Sequence, residues 1–231
     1  MSTSHIRFSA EDRRNQILAT ATELFARQGF EGTTTRQIAE RARVNEAIIF
    51  RHFPSKEELY WAVIEHQCQL SHGRADIEAR LQSGTDDHET FVGIADDFLR
   101  RREQDDRLGR LLLFTALENH GLSHRFFQTH IAQLYERIGE YIRERIDAGA
   151  FRATDPVLAA RAFLGMLVYH FMIQELFGAR NHLKKTRREV AEELVDIWLH
   201  GMISRDEHAA GSNGRTRALA KSGSARKSET H

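Results

Sequence analysis

The feature that most limits what this chain can become is the segment from Thr33 to Lys56, TTTRQIAERARVNEAIIFRHFPSK. Ile38, Ala39 and Ala42 recur at helical spacing, and Thr34 or Thr35 is placed to accept the first free amides as an N-cap. After Arg43 and Val44, Asn45 is placed to cap a second helix in which Ile49 and Phe53, four apart, face inward. Arg36, Glu46, Ala47, Phe50, Arg51 and His52 fall on other faces. Helices this short are marginal alone in water, so they must pack on neighbours. Two such helices joined by a tight turn have helix-turn-helix spacing, in which the second helix enters the DNA major groove.

The remaining signals are also helical. Ser9 before AEDRR opens a first helix, Ile17, Leu18, Ala21, Leu24 and Phe25 form its apolar stripe, and Gly29 stops it. Ser55 and Glu58 read as a capping box that starts a helix near Lys56. Leu59, Val63, Leu70, Ile77 and Leu81 carry that helix to about residue 81, with Gly73 as a weak point. Stripes follow at Phe91–Leu99, Leu108–Leu117 and Phe127–Ile146. Asp155-Pro156 is an N-cap with proline at the first helical position, and the helix it opens, 156–177, is apolar on nearly every face. A last helix runs from about Thr186 to His200. No run alternates with period two, so the expected fold class is all-α.

Composition sets limits on function. With 231 residues, 41% of them hydrophobic and 29% charged, the chain is expected to be soluble and globular. No stretch approaches 18 uninterrupted apolar residues and MSTSHIRFSAEDRR has no apolar signal core, so a cytoplasmic location and no membrane are expected. The lone Cys68 excludes an internal disulfide and reads as a packing residue. Lys+Arg and Asp+Glu both number 33, so net charge gives no support for a nucleic-acid partner, and that case rests on the motif. From Arg205 the pattern dissolves, and 205–231 reads as a disordered tail. Nothing points to an enzyme: there is no phosphate-binding glycine loop, nucleophile elbow or metalloprotease helix. Glu118, His120, His124 and His130 are the best metal candidates, but Gly121 interrupts the helix between His120 and His124, so pocket-lining or surface roles are expected, with no metal and no cofactor.

Thr-Thr-Arg-x-Ile-Ala, then Val-Asn-x-Ala-x-Ile-Phe-x-His-Phe-Pro-Ser-Lys-Glu-Glu-Leu, resembles the DNA-binding domain of the TetR family of transcriptional regulators, from about Ile6 to Ile64. Two positions depart: Arg43 stands where the family usually has a turn glycine, and Phe50 where it usually has tyrosine. The resemblance implies a helix-turn-helix domain over 1–55 and a helical ligand-binding and dimerisation domain over 56–204. It implies that Thr34, Thr35 and Lys56 hold phosphates of double-stranded DNA, while Arg36 and the exposed side chains from Asn45 to His52 approach base edges. Arginine suits guanine, Ala47 or Ile48 a thymine methyl, and Glu46 either accepts from cytosine or repels the backbone. A homodimer on a palindromic operator is expected, with Phe163, Gly165, Tyr169 and Trp198 at its interface. Phe98, Leu112, Phe114, Glu118, His120 and Phe127 are the expected walls of a pocket for a small apolar ligand. The function so implied is a repressor released by that ligand; the alternative is a ligand-independent architectural or protein-interaction factor on the same fold.

Overall fold

The computed structural model describes residues 9–84, 86–118 and 121–203; the tail expected over 205–231, and His120, lie outside them. Among the described residues the chain is helical and contains no strand, only an isolated bridge between Phe151 and Ile203. The helices are α1 (Ala10–Gln28), α2 (Thr35–Ala42), α3 (Glu46–His52), α4 (Lys56–Ser71), α5 (Gly73–Gln82) and α6 (Asp87–Gln104). They continue as α7 (Arg107–Leu117), α8 (Gly121–Phe126), α9 (Ala132–Asp147), α10 (Pro156–Phe171) and α11 (Arg187–Met202). The local chemistry explains most boundaries. Ser9 with Asp12, and Thr186 with Glu189, form reciprocal capping boxes, and Asp155 caps α10 ahead of Pro156. Gly29 ends α1 at φ 75°, a conformation that favours glycine.

Three expectations are corrected. The long helix over 56–81 is two helices, broken at His72, which sits in the left-handed region at φ 47° just before Gly73. The capping box at Ser55 is only half made: Ser55 accepts from the Glu58 amide at 3.2 Å, while the Glu58 carboxylate accepts from Arg125 at 3.0 Å. The helix expected from Phe127 starts at Gly121 and passes through a π turn, Phe127–Ile131, into α9. A second π turn, Met172–Leu176, extends α10. The run Pro156–Leu176, 21 residues with a mean hydropathy of 1.6, meets the length and composition of a membrane-crossing helix. In this fold its Phe163, Leu164 and Leu167 are buried in a core.

Packing divides the helices into two cores. The first gathers Ile17, Phe25, Ile38, Ile49, Leu59 and Tyr60 with Leu108, Leu111 and Leu122, so it extends well past residue 55 into α4, α7 and α8. The second gathers Phe91, Ile94, Ile142, Phe163, Val195 and Trp198 from α6, α9, α10 and α11, with Ile77 of α5. The chain passes between the cores at the His72 break, at Asp105–Asp106 between α6 and α7, and along the π turn between Phe126 and Leu134. Each passage is a departure from regular α-helix.

The first core is tied across sequence by polar contacts. The Tyr60 hydroxyl donates to the Leu111 carbonyl at 2.8 Å and lies 2.9 Å from Thr115 Oγ1. Its ring stands edge-on to Phe25 and Phe30, with centroids 4.7 and 5.3 Å apart. Burial pushes the Tyr60 pKa up to about 12, so the phenol stays protonated and a donor. Replacing it by phenylalanine keeps the ring packing and removes one buried hydrogen bond, while Thr115 still donates to the Leu111 carbonyl at 2.7 Å. Tyr60→Phe is therefore expected to lower stability by about 1 kcal/mol, read as a fall in urea midpoint with unchanged slope.

Candidate nucleic-acid interface

Each short helix is locked by its caps. Thr34 is the N-cap of α2: its hydroxyl accepts from the Gln37 amide at 3.1 Å, and Gln37 Oε1 accepts from the Thr34 amide at 2.9 Å. The buried Thr33 hydroxyl donates to the Gly29 carbonyl at 2.9 Å, fixing α2 to the end of α1. Asn45 caps α3, its Oδ1 accepting from the Ala47 amide at 2.9 Å. Between them Arg43 takes up the left-handed conformation, φ 52° and ψ 45°, so the turn is the one glycine would make. Its amide bonds back to Glu40 O at 3.2 Å and that of Val44 to Ala39 O at 3.0 Å, closing α2.

This scaffold decides which α3 side chains are presented. Ile49 (0% exposed) and Phe53 (3%) point into the first core. Ala47 and Arg51 are exposed, and Phe50 is 44% exposed despite being an aromatic ring. Ile48 is half-buried against the core. Arg36 stands on α2 with its side chain 81% exposed, its Nε donating to Glu40 at 3.1 Å. That pair is weak in water and leaves the remaining guanidinium donors for another acceptor.

Several expected contacts are engaged within the protein. The Thr35 hydroxyl donates to Glu46 Oε1 at 2.5 Å, tying the first residue of α2 to the first of α3. The Glu46 carboxylate thus has a positioning role, and the Thr35 proton is not directed outward. Nε2 of His52 is buried with no hydrogen-bond partner, so that atom is turned away from any groove. The Lys56 ammonium lies 4.1 Å over the Phe30 ring and is half-buried, held by a cation–π contact at the start of α4.

Of the expected ligand-pocket residues, Phe98, Leu112, Phe114, Glu118 and Phe127 line none of the clefts described below, and His120 lies outside the described residues. Phe114 and Glu118 pack against the end of α1, where a Cβ on Gly29 would come within 2.8 Å of Phe114 Cδ1. Glu118 accepts the Phe30 amide at 3.0 Å, and Arg110 donates to the Ala26 carbonyl at 2.8 Å, so α7 closes the last turn of α1. Leu112 faces the first core, Phe98 the second, and Phe127 is 48% exposed. Three other clefts exist among the described residues. One of 310 Å³ lies between Leu99, Arg102, His170 and Arg187, and one of 410 Å³ between Gln67, His72, Arg101, Arg102 and Leu108. One of 360 Å³ lies between Met166, Tyr169, Ile173 and Leu194. The expected interface residues divide likewise. Trp198 donates to the Ala159 carbonyl at 3.1 Å and packs with Phe163 and Phe91 inside the second core, which corrects its assignment, and that of Phe163, to a partner-facing surface. Gly165 and Tyr169 are exposed. Cys68 is half-buried, and burial pushes its thiol up to about 11, which keeps it mostly protonated and slow to react at neutral pH.

The family model for bacterial regulatory proteins of the tetR family matches residues 17–63, and one for the C-terminal domain of AefR-like transcriptional repressors matches residues 96–201. The chain is 30% identical over 162 residues to the transcriptional repressor NicS of Pseudomonas putida, covering 67% of this chain and 72% of that protein. It is 32% identical over 107 residues to the transcriptional activator FasR of Mycolicibacterium smegmatis, covering 46% of this chain and only about half, 48%, of FasR. The fold is similar to that of AibR, solved in complex with isovaleryl coenzyme A and operator DNA, at TM-score 0.62 and 22% identity, over 80% of this chain and 97% of that one.

The left-handed turn supplies its own test. A side chain at φ 52° carries a steric cost that glycine lacks, offset in part by the greater freedom of glycine in the unfolded chain. Arg43→Gly is therefore expected to stabilise the protein by up to about 1 kcal/mol, measured as a higher midpoint in urea.

Proposed function

The chain belongs to the TetR family of bacterial regulatory proteins, and from that membership we propose a cytoplasmic homodimeric repressor that holds a palindromic operator until a small molecule releases it. That the chain is a DNA-binding regulator of transcription follows from the family itself. The observation that carries the reading is the division of α3 into a locked inner face, Ile49 and Phe53, and an offered outer one, Ala47, Phe50 and Arg51. Arg36 and Arg51 are the base-reading candidates, Ala47 and Phe50 meet thymine methyls or sugar, and Thr34 and Lys56 approach phosphates. Repression, rather than activation, is favoured by the wider match to NicS and by the AefR-like repressor domain over 96–201.

The dimer rests on surface chemistry. α10 and α11 leave Leu158, Tyr169 and Ile197 at 59%, 65% and 67% exposure. Gly165 beside them would meet nothing within 4 Å if given a Cβ, which leaves room for a helix of a second copy. A two-fold axis along these helices would set the two copies of α3 about 34–36 Å apart, one turn of DNA. Tyr169→Arg combined with Ile197→Arg is expected to give a folded monomer in sedimentation. A dimer that survives both charges would overturn the interface.

The DNA contacts are separable by salt. Arg36→Ala is expected to cost about 1–3 kcal/mol on the operator and to relax preference at one base position. Lys56→Ala should weaken binding alike on operator and scrambled DNA and reduce the salt slope by about one. An Arg36→Ala protein with wild-type base preference would sink the assignment.

A further inference from the structure

Arg102 lies near the end of α6 and lines both the 310 Å³ and the 410 Å³ cleft. Every other Lys or Arg of the two linings has a carboxylate partner. Arg100 pairs with Asp97 at 2.9 Å, Arg101 with Asp76 at 2.6 Å, and Arg187 with Asp96 at 2.8 Å. Arg180 pairs with Glu175 and Lys185 with Glu193. The acids are engaged too, since Asp105 in the larger cleft is paired with Arg107 at 2.5 Å. Arg102 makes no ion pair among the described residues; its guanidinium lies 5.7 Å from the Phe98 ring centroid and its Nε is buried without a hydrogen-bond partner. Burial, and then the neighbouring Arg101, lower its pKa, while the charges of Asp105 and Asp106, with which it makes no ion pair, raise it. A guanidinium held largely out of water beside a cavity, with its Nε donor unmatched and no ion pair, is poised for an anion, and its planar fork suits a carboxylate or a phosphate.

The larger cleft is walled by Gln67 and His72 of α4 and its end, Asp76 of α5, the end of α6, and Leu108 of α7. α4 and α7 belong to the first core, α5 and α6 to the second. Two of the three passages between the cores therefore border this space. Its lining is otherwise polar or charged; Leu108 and the 58% exposed Leu70 give it one small apolar side. We propose that the regulatory ligand is a small amphipathic anion, its carboxylate or phosphate on Arg102 and its apolar part in the 410 Å³ cleft between the two cores. The proposal replaces the wholly apolar ligand expected from sequence, and it rests on the ligand-responsive reading above. An occupant of this cleft touches both cores, so it favours whichever relative placement best closes on it.

The test uses the full-length chain with four probes: octanoate, octyl phosphate, the neutral octanamide and inorganic phosphate. Calorimetric titration is expected to show both amphipathic anions binding at least tenfold more tightly than octanamide or inorganic phosphate. Arg102→Gln should lose at least tenfold affinity for both anions, and Arg102→Lys should fall between. Cys68, the single cysteine of the chain, reports independently. Electrostatic interaction with Arg102 lowers its pKa, against the larger effect of burial. Either anion should therefore slow alkylation of Cys68 in the wild type severalfold, which settles the matter even if Arg102→Gln fails to fold. Octanamide or inorganic phosphate matching the amphipathic anions, Arg102→Gln binding like the wild type, or unprotected Cys68 would each overturn the site. Operator affinity, measured alongside, separates the two claims: anion binding through Arg102 that leaves operator affinity unchanged overturns release but keeps the site. Release by a compound indifferent to Arg102→Gln does the reverse.

Discussion

Helices of eight and seven residues do not sustain themselves, and the helix-turn-helix of this protein is built from two of them. α2 and α3 persist because Ile38, Ile49 and Phe53 insert between α1 and α4. Those longer helices are in turn closed by α7. Leu108 and Leu111 complete the apolar contact, Tyr60 bonds to α7 backbone, and Arg110 and Glu118 satisfy groups at the end of α1. The reading head is thus a block that recruits residues as far along the chain as Leu122. Its rigidity and its recognition surface have the same source, because the residues that hold α3 in place also decide which of its side chains face out.

The irregular backbone lies elsewhere. Within each core the helices interlock through rings: Phe25, Phe30 and Tyr60 in one, Phe91, Phe163 and Trp198 in the other. Between the cores the chain crosses at a left-handed residue, a two-residue break and a π turn. The three places where the chain crosses between the cores are thus places where its regular helical hydrogen bonding is interrupted. Coupling between a ligand and DNA then needs only a few kcal/mol of differential binding, about 1–3 in most allosteric proteins.

The helix-turn-helix was legible in the sequence because its signals are local: Thr34 and Asn45 as caps, Ile49 and Phe53 four apart, Ser9 and Thr186 opening their helices. Where a residue's role depended on a distant partner, the sequence was silent or misleading. Trp198 reads as an anchor for a partner, but an indole at helical spacing gives no hint that its N–H reaches Ala159 on the neighbouring helix. Phe114 and Glu118 close an apolar run as pocket walls would, yet they complete the end of α1, far away along the chain. His72 carries no signature of a left-handed break beyond the glycine that follows it. Arg102 is one of three arginines in a row, a pattern that reads as a solvated helix face, and only the pairing of its neighbours singles it out.

The reading face is, finally, almost electrically balanced. Arg36 faces Glu40, Arg41 faces Glu23, and the ammonium of Lys56 rests on a ring. Attachment to arbitrary DNA is governed by how many phosphates a protein neutralises, and on this face Arg36, Arg41 and Lys56 each stand beside a carboxylate or a ring, while Arg51 is exposed. For a face so balanced, attachment to wrong sequence is expected to be weak and to depend shallowly on salt. The cost falls on arrival, since a weakly charged surface gains little from long-range steering and must find its site by repeated short encounters.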